Sequence, residues 1–132
     1  MKMRCRSSFV VKDNIVVCRV TPIEEEDSML RKLMNIVGFY YNESFSKRII
    51  NPFNQFYKGV AILKDGDINN IELAKKIARK KAVRQMFKCY KNSLKNCYDQ
   101  IINISTEIET SRNSVLRKID KITDEIKELN LT

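Results

Sequence analysis

The chain has 132 residues, 43% of them apolar and 31% charged, with a formal net charge of +9. That length predicts a single domain, 1–132, with a modest core, and the apolar share is too high for a disordered chain. No apolar run reaches membrane-spanning length and no apolar signal region follows Met1-Lys2-Met3-Arg4, so a soluble cytosolic protein is expected.

From Lys2 to Thr21 the pattern has period two, with Met3, Cys5, Phe9 and Val11 on one face and Lys2, Arg4, Arg6 and Ser8 on the other. Asp13-Asn14 suits a two-residue hairpin turn. The register it sets puts Lys12 opposite Ile15, Phe9 opposite Cys18, Val11 opposite Val16 and Ser8 opposite Arg19. One face is then apolar, and Arg4, Arg6 and Arg19 share the outer one. That face is either plainly solvated or a cationic floor for phosphate, which guanidinium forks match two oxygens at a time.

Pro22 stops the hairpin. Acids at Glu24 to Asp27 precede Met29, Leu30, Leu33, Met34 and Val37 at helical spacing, predicting a helix from about Glu25 to Ile36 that Gly38 ends. Phe39, Tyr40, Tyr41, Phe45, Phe53, Phe56 and Tyr57 crowd the following stretch; most should pack, and one or two could stack on a base. Phe56 to Leu63 reads as a buried strand, and Lys64-Asp65-Gly66-Asp67 as the turn into the next helix.

All glycines and prolines precede residue 67. The chain thus divides into a sheet-rich half, 1–67, and a helical half, 68–132. Asn69 or Asn70 caps the main helix, with Glu72 in its first turn. Ala74, Ala78, Ala82, Met86, Tyr90, Leu94, Cys97, Ile101, Ile104 and Ile108 mark one side, and Ile77, Val83 and Phe87 widen it. Further on, Val115, Ile119, Ile122, Ile126 and Leu129 step 4-3-4-3, a heptad seam. The polar run Thr110 to Ser114 lies between. Either the chain turns back there, or the helix pairs with a second copy, and a homodimer or larger assembly is expected. The fold class is α+β: an N-terminal antiparallel sheet with long C-terminal helices packed on it and on a second protomer.

The main helix carries the charge. Lys75, Lys76, Arg79, Lys80, Lys81, Arg84, Lys88, Lys91 and Lys95 equal the net charge, and the sixteen other Lys and Arg balance the sixteen Asp and Glu. No Asp or Glu falls between Glu72 and Asp99. An anionic partner is implied, whether nucleic acid or a small phosphate-bearing ligand; plain solubility is the other explanation. No helix-turn-helix signature supports the nucleic-acid reading.

Catalytic equipment is sparse. There is no histidine, P-loop or GxGxxG, so no enzyme activity and no cofactor are expected. Cys5, Cys18, Cys89 and Cys97 sit at no metal-ligand spacing, which predicts no metal site and reduced, mostly buried thiols.

Phe56-Tyr57-Lys58-Gly59-Val60-Ala61-Ile62-Leu63, the acidic turn Asp65-Gly66-Asp67 and Ala74-Lys75-Lys76-Ile77-Ala78-Arg79-Lys80-Lys81-Ala82 resemble a strand, acidic turn and basic helix block of small bacteriophage proteins. With the opening strand Arg4-Cys5-Arg6-Ser7-Ser8-Phe9, the layout over roughly residues 1 to 100 is similar to the Thoeris anti-defence sponge family. The resemblance implies a non-enzymatic phage protein acting in the host bacterial cytoplasm. It would sequester, without degrading it, the cyclic ADP-ribose isomer made by a TIR-domain enzyme. Cyclic oligonucleotides are a further ligand class, and pockets would lie between protomers of a symmetric assembly. The alternative is a small basic nucleic-acid-binding or regulatory phage protein.

The residues themselves suggest a ligand set. Arg112 could hold a phosphate, and Asn92 and Asn113 could read a base edge or a ribose hydroxyl. Phe87 or Tyr90 could stack on adenine, with Arg84 and Lys88 one turn away. Against this, Arg112-Asn113 could be an interhelical loop and Phe87 could be core.

Overall fold

The computed structural model describes residues 3–24, 28–42, 49–64 and 70–130. Strands β1 (Arg4–Lys12) and β2 (Ile15–Ile23) form a hairpin, and β3 (Tyr57–Ile62) adds antiparallel to β2, giving the order β1-β2-β3. The hairpin turns on Asp13, whose φ of 55° lies in the left-handed region that Asp and Asn tolerate. The predicted register holds throughout: Lys12 faces Ile15, Val11 faces Val16, Phe9 faces Cys18 and Ser8 faces Arg19.

β3 differs from the expected buried strand. Tyr57, Gly59 and Ala61 are buried, while Lys58, Val60 and Ile62 are exposed. Among the described residues only one face of β2 and β3 is covered, so burial alternates there as the pleat does, while β1 is exposed along almost all its length.

Helix α1 runs Met29–Tyr41, later than predicted. Ser28 is its cap, its side chain accepting from the Arg31 N–H at 3.2 Å. Arg31 forks onto the Glu24 carboxylate at 2.6 Å through both Nε and Nη2, tying the end of β2 to the first turn. The acids at 25–27 lie outside the described residues. Gly38 does not end the helix; it sits buried within it, on the face of Leu30, Met34 and Val37. Asn42 terminates the helix instead, left-handed at φ 54°, its N–H bonding back to the Gly38 and Phe39 carbonyls.

A single 3-10 turn, Pro52–Asn54, then leads to β3, with the Asn51 side chain accepting from the Phe53 N–H at 3.0 Å. The acidic turn at 65–67 and Asn69 lie outside the described residues.

Helix α2 is assigned from Ile71 to Leu129, without the turn expected at Thr110 to Ser114. That polar run contains neither Gly nor Pro. The Thr110 hydroxyl donates to the Thr106 carbonyl at 3.0 Å, satisfying itself within the helix.

The chain falls into two compact units, Met1–Cys97 and Tyr98–Thr132. In the first, Val16, Cys18, Val20, Tyr57, Ala61 and Leu63 pack against Ala74, Ala78, Ala82 and Met86 of α2. The alanine row lets helix and sheet approach closely. A Cβ on Gly59 would meet the Ala78 carbonyl oxygen at 1.8 Å and the Ala82 nitrogen at 2.6 Å. A second anchor lies further along α2, where the Ser93 hydroxyl donates to the Ile50 carbonyl at 2.7 Å. The Tyr90 ring meets Phe53 edge-on at 5.8 Å between centroids. In the second unit, every described residue from Ser105 onward is exposed. All four cysteines are free thiols, with Cys18 and Cys97 buried and Cys5 and Cys89 half-buried. Among the described residues no helix is long and apolar enough to cross a membrane.

Candidate functional site

The nine cations of α2 from Lys75 to Lys95 occupy three sides of the helix. Arg79 donates to the Ser7 hydroxyl at 3.0 Å and lies 3.5 Å from the Cys5 thiol, while Lys75 approaches the Phe9 ring at 5.7 Å. These two fasten α2 to β1. Lys76 and Lys80 project away from the sheet, as helical geometry requires of residues roughly opposite the alanine row.

The remaining five form a line. Lys81, Arg84, Lys88, Lys91 and Lys95 follow one another at steps of three and four residues, and all are exposed. At 100° per residue they fall in an arc about 80° wide, and at 1.5 Å per residue the line runs about 21 Å. Lys81 starts it at the free edge of β3, donating to the Val60 carbonyl at 3.0 Å. No carboxylate of α2 falls between Glu72 and Asp99, so the rungs carry one sign of charge with no acid interleaved.

The predicted site residues divide between the two units. Arg84 and Lys88 are consecutive rungs. Phe87, 39% exposed, lies one turn from Arg84 beside the ladder. Asn92 is exposed one turn beyond Lys88, on the ladder's border. Tyr90 is no alternative to Phe87: it is 5% exposed, and burial raises its hydroxyl pKa against a lowering backbone hydrogen bond from Leu30. It is a packing residue. Arg112 and Asn113 belong to the second unit, exposed on continuous helix rather than in an interhelical loop.

A second cationic surface occupies the uncovered face of the sheet. Ser8, Arg19 and Lys58 lie side by side across the three strands. The Arg19 guanidinium sits 3.9 Å above the Phe56 ring, and the Lys58 ammonium is 5.7 Å from the same ring. Arg4 and Arg6 share this face, as the hairpin register predicted. Phe56, expected at the start of a buried strand and named among the aromatics that could stack, is instead half exposed and meets Arg19 and Lys58. Its two-residue separation from Lys58, which faces Arg19, was the available signal.

Tyr57 cannot supply a base near neutrality. Burial, then the adjacent Cys89 thiol, pushes its pKa far up, and its hydroxyl donates to the Pro52 carbonyl at 2.9 Å. Among the described residues no group of three or more His, Cys, Asp or Glu could hold a metal ion. An apolar hollow of about 110 Å³ lies between Leu63, Leu73 and Ile77. It is well below the roughly 300–1,000 Å³ of an ordinary ligand pocket, and no charged side chain is among its described lining residues.

No protein-family model, curated protein or solved structure matches this chain.

Proposed function

We propose that this protein is a non-enzymatic binder of a phosphate-bearing nucleotide, gripped by the ladder from Lys81 to Lys95. The observation that carries the reading is five exposed cations in one line with no intervening carboxylate. Arg84 and Lys88 hold phosphate oxygens, Phe87 stacks on the base and Asn92 reads a base edge or hydroxyl. Arg112 and Asn113, which belong to the second unit, form no part of this grip. On the resemblance to the Thoeris anti-defence sponges, the ligand is a cyclic ADP-ribose isomer. A phage would use the protein in its host's cytoplasm to withhold that signal intact. The ladder is open and convex, so tight capture needs a second copy to enclose the ligand, and the acting species is a homo-oligomer.

A linear array about 21 Å long also suits a phosphodiester backbone. Nucleic-acid binding is therefore the second reading.

Calorimetry against cyclic ADP-ribose isomers and against duplex DNA, each at two salt concentrations, separates them. Saturable nucleotide uptake, with the ligand recovered unchanged after denaturation, is the expected result. If only DNA binds, with a logarithmic salt slope of about −4 to −5 for five neutralised phosphates, the nucleic-acid reading replaces it.

A further inference from the structure

The second unit carries an ordered apolar line that its own chain leaves exposed. Val115, Ile119, Ile122, Ile126 and Leu129 are 55%, 52%, 54%, 51% and 75% exposed. Their 4-3-4-3 steps place Ile119 and Ile126 at the a positions of a heptad, and Val115, Ile122 and Leu129 at the d positions. Helix stability in water comes mainly from packing of such a face, so a stripe this long and regular calls for a covering partner. The charges around it say which partner.

We propose that a second copy of the chain covers this stripe, running antiparallel, with Ile119 of each copy against Ile122 of the other. That alignment is two-fold symmetric and closes on itself. It also sets Val115 against Ile126 twice. In an antiparallel pair, g positions flank g positions across the seam. Lys118 and Glu125 are both g residues here, and this alignment brings Lys118 of each copy beside Glu125 of the other. Two opposite-charge pairs result. Arg112, the one charge at an a position, falls opposite Leu129 at the end of the seam, where its head reaches water.

The parallel, in-register pairing sets Leu129 on Leu129 but loses on charge. It sets Arg112 against Arg112 inside the seam and pairs Lys118 with Thr123 and Glu125 with Asn130, so no ion pair forms. The placement of Arg112, Lys118 and Glu125 thus selects direction as well as partner.

This inference rests on the reading that the protein acts as more than one copy, not on which ligand it holds. The test is sedimentation equilibrium on the full-length chain and on Lys118→Glu, Glu125→Lys and the double variant, with circular dichroism to check that each folds. The wild type should sediment as a dimer or a multiple of it. Each single reversal turns two attractive pairs into repulsive ones and should raise the dimer dissociation constant about tenfold. The double variant restores both pairs and should return to within about twofold of the wild type. Ile122→Asp should abolish association. An assembly indifferent to all four variants would overturn the seam while leaving a homo-oligomer in place. A wild-type monomer at the highest soluble concentration would overturn both.

Discussion

Lys81 donates its ammonium to the Val60 carbonyl 3.0 Å away, so the cationic ladder of α2 begins at the free edge of the sheet. That bond satisfies an edge carbonyl that has no strand beside it among the described residues, and it fixes where the positive line starts. Lys81→Met should therefore lower stability by about 0.5–1 kcal/mol in urea unfolding. Arg84→Met and Lys88→Met, at solvated positions, should each stay within about 0.5 kcal/mol of the wild type.

The contact between Gly59 and α2 is less forgiving. A Cβ there would fall 1.8 Å from a backbone oxygen, and neither the strand nor the helix has a flexible side chain to give way. Gly59→Ala should cost about 3 kcal/mol or prevent folding, seen as a large drop in melting temperature. Ala78→Gly removes only a methyl group and should cost about 1 kcal/mol through helix propensity.

Stability should fall in alkali, and Tyr57 supplies part of the slope. Its pKa is raised in the folded state, so the unfolded chain loses the phenolic proton first, near pH 10. Its contribution is complete below that pH and declines above it, by up to about 1.4 kcal/mol per pH unit. The buried thiols of Cys18 and Cys97, also raised mainly by burial, begin the same decline near pH 9. Urea midpoints from pH 7 to pH 11 should be flat and then fall. Tyr57→Phe should be less stable at pH 7 by about 1–2 kcal/mol for the lost bond to Pro52, and its alkaline fall should be shallower.

The two aromatic residues considered for stacking should separate cleanly. Tyr90→Ala removes a buried ring packed on Phe53 and should cost about 3–5 kcal/mol in thermal unfolding. Phe87→Ala should cost under about 1 kcal/mol, because the ring is part-exposed, yet weaken nucleotide binding about tenfold by calorimetry.

The hairpin was legible residue by residue, since period-two patterning and the Asp13-Asn14 turn leave one register that keeps Phe9, Cys18, Val11 and Val16 on a common face. The charged stretch of α2 was equally plain. What escaped depended on tertiary context. Gly38 reads locally as a terminator, but a side chain there would project into the buried face of α1, while Asn42 accepts the left-handed turn. The run from Thr110 to Ser114 reads as a loop by polarity, yet its threonine hydroxyl is satisfied within the helix. Half-burial of β3 follows from how many layers cover the sheet, which no local pattern states. Tyr90 and Phe87 share an apolar stripe in sequence, and only the position of Phe53 shows which one is packed.

Calorimetric titration of a cyclic ADP-ribose isomer into the wild type and into Arg84→Glu/Lys88→Glu addresses the proposed grip most directly. The ladder account predicts saturable binding to the wild type, and at least about a hundredfold loss in the variant with its melting temperature nearly unchanged. Equal affinity in both proteins, or none in the wild type, would contradict it.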